Sequence, residues 1–137
     1  MSLKKLKELV YDRANGLCEY CKSPANISSQ PFVIEHILPQ SKGGETKADN
    51  LALSCQGCNN YKYNKTSAFD NVSGQEIDFF NPRTDHWEAN FAWSADGLEV
   101  LGITAKGRVT VDALKLNRQA LQNLRELLGS VGKHPPK

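Results

Sequence analysis

Nowhere in its 137 residues does the chain hold an apolar run near the roughly 20 residues needed to cross a bilayer. A membrane-spanning reading is therefore excluded at the level of helices. The opening MSLKKLKELV interleaves lysine with leucine and lacks the basic start and apolar core of a secretory leader, so a cytoplasmic location is expected. Charge of one sign is also scarce. Seventeen Lys and Arg against fifteen Asp and Glu leave a net of +2, too little for the total alone to indicate a polyanion ligand. Histidine occurs three times, which leaves few residues for neutral-pH proton transfer. Cysteine occurs four times, and in a reducing compartment four cysteines point to metal rather than to disulfides. With 39% hydrophobic and 23% charged residues, the chain has the composition of one globular domain.

The distribution of charge says more than its sum. Residues 1–30 carry +2, 31–68 carry +1, 69–102 carry −6 and 103–137 carry +5. An acidic middle thus hides a basic remainder, and a polyanion would be approached from one side only.

Leu3, Leu6, Leu9 and Val10 recur at helical spacing, predicting an amphipathic helix from Leu3 to about Ala14 with Ser2 as its cap and Gly16 as its stop. Phe32-Val33-Ile34, running into Glu35-His36-Ile37, and Leu51-Ala52-Leu53 read as two short strands of a hairpin with a long connection. The polar segment NNYKYNKTSAF that follows Cys58 reads as a helix of poor intrinsic propensity, which something outside propensity must hold. Further on, Asn90–Trp93 and Leu98–Ile103 read as a hairpin around Asp96-Gly97. Thr110 is expected to cap a helix over Val111 to about Leu116, and a second helical stretch runs to Leu128 before Gly129. Phe79, Phe80, Phe91 and Trp93 are expected to form the core of this extension, and VGKHPPK a frayed tail.

The cysteines form two C-x2-C pairs, Cys18/Cys21 and Cys55/Cys58, separated by 34 positions from Cys21 to Cys55. Two such turns aim four thiolates at one centre, the pattern of a structural zinc site with no position open for water. A redox pair or an iron–sulfur cluster uses the same residue, but the symmetric doubled knuckle favours zinc. Such a site would pin the weak helix after Cys58, and a zinc of this kind supplies much of a small domain's folding free energy.

Between the pairs the chain reads Glu35-His36-Ile37-x-Pro39, Gly43-Gly44, Asp49-Asn50-Leu51 and Cys55-x2-Cys58-Asn59-x2-Lys62. His36 suits a general base, since histidine titrates near neutrality. Glu35 and His36 are strand neighbours whose side chains leave on opposite faces unless the strand bends. Glu35 with the Asn59 carbonyl oxygen would make an oxygen-rich site for a hard cation. Lys62, one helical turn beyond Asn59, would lie within reach of a phosphate.

Over residues 18–62 this arrangement resembles the HNH endonucleases, in the branch whose hairpin is flanked by cysteine pairs. Phe80-Asn81-Pro82-Arg83 and Gly102-x-Thr104-x-x-Gly107-Arg108 resemble parts of such proteins more loosely. Glu35 stands where Asp or His is commoner, and Asn59 where His is frequent. The resemblance implies an α+β fold: a ββα-metal core (about residues 16–70) with a structural four-cysteine zinc, an N-terminal helix, and a C-terminal hairpin-plus-helix extension (about 71–130), together one domain over 1–137. It implies a metal-dependent DNA endonuclease leaving 5′-phosphate and 3′-hydroxyl ends. His36 would deprotonate water, Glu35 and Asn59 would hold Mg2+ or Mn2+, and Asn50 would tie the long loop. Arg83 and Arg108 are candidates for phosphate contacts, against pairing with the acidic segment. Duplex DNA is the expected partner, with a homodimer or protein partner to supply specificity that so small a surface lacks. A non-catalytic nucleic-acid-binding zinc module is the alternative.

Overall fold

The computed structural model describes residues 1–137 as a mixed α/β fold of three two-stranded antiparallel hairpins and five α-helices. The chain divides into two compact units: residues 1–66 with 81–84, and residues 67–80 with 85–137. No helix is long and apolar enough to cross a membrane.

In the first unit, helix α1 (Leu3–Arg13) starts where Ser2 Oγ accepts the Lys5 amide at 3.2 Å. It buries Leu6 and Val10 against Leu51 and Leu53, with Ile34 and Phe32 at the edge. Burying four such side chains, at about 1.5–3 kcal/mol each, is the main apolar gain of this unit. Strands β1 (Val33–His36) and β2 (Leu51–Ser54) pair antiparallel, Glu35 opposite Ala52 and His36 opposite Leu51. Helix α2 (Gln56–Lys62) follows directly, completing a strand–strand–helix order. It is shorter than the expected helix. Tyr63 adopts φ +50°, outside the helical region, and the chain leaves the axis there.

The returning segment 81–84 brings Arg83 to Glu19, with the Arg83 Nη2 group donating to Glu19 Oε1. The other carboxylate oxygen of Glu19 accepts the Leu53 amide at 2.9 Å. Both side chains are largely enclosed, 14% and 10% exposed.

The second unit opens with a hairpin absent from the sequence reading, β3 (Ser67–Asp70) and β4 (Gln75–Asp78), with its turn at Gly74 (φ +72°). A short helix α3 (Trp87–Asn90) leads into β5 (Phe91–Trp93), which pairs with β6 (Val100–Gly102) around Asp96-Gly97 as expected. Helix α4 (Ala105–Ala113) is capped by Thr104, whose hydroxyl accepts the Gly107 amide, and not by Thr110. Thr110 lies buried within α4, accepting the Phe80 amide at 2.9 Å and donating to the Lys106 carbonyl. Helix α5 (Gln119–Ser130) ends the fold. Phe79, Phe80 and Phe91 are buried as expected, with Phe80 edge-on to Phe91 at 5.2 Å; Trp87 joins this core, while Trp93, also expected in it, is half-buried. The C-terminal tail is docked rather than frayed: His134 Nε2 lies 2.8 Å from the Gly97 carbonyl oxygen, and its ring meets Trp93 edge-on at 4.4 Å.

Candidate functional site

The four cysteines converge in the first unit. Cys18, Cys21, Cys55 and Cys58 are all buried, and their sulfurs lie within 4.8 Å of one another. Each knuckle is closed by an N–H···S bond, Cys21 N to Cys18 Sγ at 3.5 Å and Cys58 N to Cys55 Sγ at 3.4 Å, the latter also capping α2. Cys21 Sγ and Cys55 Sγ stand 3.7 Å apart. That is far too long for a disulfide, and it matches the edge of a tetrahedron with Zn–S of about 2.3 Å. Burial pushes the Cys18 thiol well above its ordinary range, so holding all four sulfurs here as thiolates would require a cation among them. The donor set fits zinc. Held there, zinc would tie the turn before β1 to the start of α2, which resolves how a seven-residue helix of mostly polar residues persists.

The first knuckle is itself fixed on the hairpin, because the Glu19 amide donates to the Leu53 carbonyl and the Glu19 carboxylate accepts the Leu53 amide. Its residues are thus held by β2, next to the strand that carries Glu35 and His36.

His36 ends β1 and is partly exposed. Its Nε2 lies 2.8 Å from Thr46 Oγ1, and its Nδ1 makes no hydrogen bond. Gln40 Nε2 donates to the same hydroxyl at 3.5 Å. Thr46 has no part in the sequence reading. Its only sequence signal is its place in the loop between Gly44 and Asn50.

Asn50 binds across the loop between β1 and β2. Its Oδ1 accepts the Leu38 amide at 2.8 Å, and its Nδ2 donates to the carbonyls of Leu38 at 3.1 Å and Glu45 at 2.9 Å. Three bonds from one side chain span the loop that carries Thr46 to His36. Asn59 lies in the first turns of α2, partly exposed; its backbone N–H donates to the Cys55 carbonyl at 3.1 Å, and its side-chain amide makes no hydrogen bond.

Glu35 lies elsewhere than a metal ligand would. The β1 alternation sends its side chain inward while His36 leaves outward, and no bend brings the two together. Only 5% of Glu35 is exposed. Oε1 accepts the Tyr20 hydroxyl, and Oε2 lies 3.1 Å from Lys62 Nζ. Burial pushes this carboxyl above its ordinary range, against the opposing pull of the Lys62 ammonium and the Tyr20 hydroxyl. Both oxygens are engaged, and a cation already faces one of them. Glu35 and Asn59 therefore do not fit a shared Mg2+ or Mn2+ site.

None of the three cations expected at phosphate stands free. Lys62 is 2% exposed, its ammonium spent on Glu35 and on the carbonyls of Ile37 at 2.9 Å and His36 at 3.5 Å. Arg83 is paired with Glu19. Arg108 makes two bonds to Asp70, at 3.1 and 2.9 Å, and with Ser73 it holds the Asp70 carboxyl far below the usual carboxylate range. The second loose resemblance is thus a joint within the second unit. Gly102 and Gly107 admit close backbone approach, a Cβ on Gly107 falling 3.1 Å from the Gly102 Cα, while Thr104 caps α4 and Arg108 pairs with Asp70.

Residues 18–65 match the family profile described as HNH endonuclease. No curated protein and no solved structure matches the chain significantly. Residues 18–65 thus combine a match to the HNH endonuclease family with a four-cysteine cluster that has the chemistry and spacing of a zinc knuckle.

Proposed function

We propose that the HNH-family segment hydrolyses phosphodiester bonds in DNA with His36 as general base. The observation that carries this reading is the state of the His36 ring: outward-facing, engaged at Nε2 by Thr46, and open at Nδ1. A ring so held offers one nitrogen to a water molecule and orients it through the other. Nδ1 takes a proton from water as the oxygen attacks phosphorus. The bond to the 3′ oxygen breaks in line, leaving a 5′-phosphate and, after proton uptake, a 3′-hydroxyl. Asn50 keeps the loop closed, so that Thr46 stays on the ring throughout. Zinc on the four cysteines is structural in this scheme, with every coordination position filled.

A second reading, a nucleic-acid-binding zinc module without catalysis, is favoured by one observation, the commitment of Glu35 to Lys62. Nicking of supercoiled plasmid by zinc-loaded protein with added Mg2+ or Mn2+ separates the two. Loss of a general base costs about 10²- to 10⁴-fold, so His36→Ala should slow nicking by that factor while DNA binding persists. Equal rates for the two proteins would remove His36 from the chemistry. DNA binding with no nicking by the wild type would leave the binding module.

A further inference from the structure

The chain buries an ion pair directly behind its candidate base. Lys62 Nζ reaches three consecutive residues of β1 and its exit: the Glu35 carboxylate at 3.1 Å, the His36 carbonyl at 3.5 Å and the Ile37 carbonyl at 2.9 Å. An ammonium has three protons and no acceptor, so these contacts use its full donor capacity. Tyr20, itself fully buried beside the first cysteine knuckle, donates to the remaining carboxylate oxygen. The next residue, Leu38, is held on both its amide and its carbonyl by Asn50, and the Ile37 amide donates to the Asn50 carbonyl at 2.9 Å. Residues 35–38 are therefore fixed one after another, with Glu35 and Ile37 facing inward and His36 and Leu38 outward.

We propose that Lys62 is a positioning residue for His36, with Glu35 as its buried counter-charge and Tyr20 as the clamp on that carboxylate, and that Glu35 holds no divalent ion. The part about His36 rests on the nuclease reading above; the part about Glu35 does not. Geometry supports both. A metal ion at Oε2 would have to stand where the ammonium stands, and one at Oε1 would have to displace the Tyr20 hydroxyl. Removing either bond leaves a polar group in a site almost closed to water, where an unpaired charge is strongly disfavoured. The pair is also anchored from two elements already tied to the cysteine cluster: Tyr20 lies between Cys18 and Cys21, and Lys62 lies one turn beyond Cys58. Order imposed at the cysteines is thereby passed to the backbone of His36.

The test uses the full zinc-loaded chain and three measurements: Mn2+ binding by electron paramagnetic resonance, single-turnover nicking across Mg2+ concentration, and the nuclear magnetic resonance signals of the His36 ring. Glu35→Gln keeps the shape and a hydrogen bond to each partner. It should bind Mn2+ within about twofold of wild type and need the same Mg2+ for half-maximal rate. Lys62→Met should shift the His36 ring signals and lower the maximal rate at least about tenfold with DNA affinity unchanged. If Lys62→Met fails to fold, the double variant Glu35→Gln with Lys62→Met, which buries no charge, carries the same measurement. A tenfold loss of Mn2+ affinity in Glu35→Gln, with zinc content intact, would overturn the proposal and restore Glu35 as a ligand. So would wild-type ring signals after Lys62 is replaced. If the wild type itself does not nick, the nuclease reading fails separately, and the Mn2+ and ring-signal arms still decide the role of the pair.

Discussion

Two adjacent glycines in the loop between β1 and β2 should respond to the same substitution for different reasons. Gly44 lies outside the left-handed region, and its constraint is space. A Cβ there would stand 2.7 Å from the Leu38 carbonyl carbon, closer still to its oxygen, and 3.0 Å from Asn50 Nδ2. Ordinary carbon–carbon contact is about 3.5–4.0 Å, and the oxygen is the tighter contact, so the loop must open by more than about 1 Å. That displacement breaks the Asn50 bond to the Leu38 carbonyl (3.1 Å) and the Gly44 amide bond to Pro39 (3.0 Å), and strains the Leu38 amide bond to Asn50 (2.8 Å). At about 1 kcal/mol per bond, Gly44→Ala should cost about 2–3 kcal/mol. Gly43 has open space around it but sits at φ +92°. Its substitution by alanine should cost about 1 kcal/mol, from backbone conformation alone, and Gly43→Asn less. Urea unfolding of the zinc-loaded protein gives both differences, and the amide signals of Leu38, Thr46 and Asn50 should move only for Gly44→Ala. Nicking should fall with them, since the same loop holds Thr46 against His36. A Gly44→Ala protein within about 0.5 kcal/mol of wild type, with those amides unmoved, would refute the packing argument, as would a larger cost at Gly43.

Removal of zinc with a strong chelator should unfold the first unit, because metal binding of this kind is worth about 10–16 kcal/mol against a total stability of about 5–15; elemental analysis should find one zinc per chain, and an unchanged amide spectrum after its removal would contradict the assignment. Thr46→Val should slow nicking about five- to tenfold, the worth of one hydrogen bond to the ring, while Thr46→Ser stays within twofold of wild type; a Thr46→Val protein at the wild-type rate would show that the ring needs no such support. Burial, reinforced by Arg125, lowers His134 below the ordinary histidine value of 6.5. The folded chain therefore favours the neutral ring and the unfolded chain takes the proton first, so tail docking is intact above about pH 6.5 and weakens as pH falls through the lower folded value. Trp93 emission should report this loss on acidification, and His134→Ala should make the profile flat; docking that tightens in acid would reverse the sign and defeat the argument.

What the sequence disclosed depended on how local the cause was. The cysteine cluster was legible because four residues of one type, at fixed spacing, leave few geometries. Strands β1 and β2 were legible from short apolar runs, and the β5–β6 turn from Asp96-Gly97, where Gly97 takes φ +74° and Asp96 binds Ser94 and Leu98. The β3–β4 hairpin was not, because Phe69 is exposed and Gln75–Asp78 is nearly all polar, so the pair carries almost no buried face to betray it. Thr104 and Thr110 are equal candidates for a cap on propensity. Thr104 holds that place while its hydroxyl bonds Asn90 at 2.7 Å, a partner 14 residues away. The partners of the site cations were not legible for the same reason. Lys62, Arg83 and Arg108 face carboxylates 27, 64 and 38 residues distant, and no local pattern records such pairings.

The membership of residues 81–84 in the first unit bears on how such a segment travels between proteins. The 18–65 match looks like a cassette that begins and ends in one continuous stretch, yet the unit around it is completed by chain that returns after residues 67–80. Cut after residue 66, the unit keeps Glu19 but loses Arg83, and an enclosed carboxylate bound to the backbone of β2 is left without its cation, a loss of about 3–5 kcal/mol for pairs of this kind. Transplantation that copies only the recognisable motif would move the cysteines, the histidine and the loop intact, and still deliver a weakened graft. A graft that keeps the Glu19–Arg83 pair must run through Thr84 and carry the β3–β4 hairpin as a passenger.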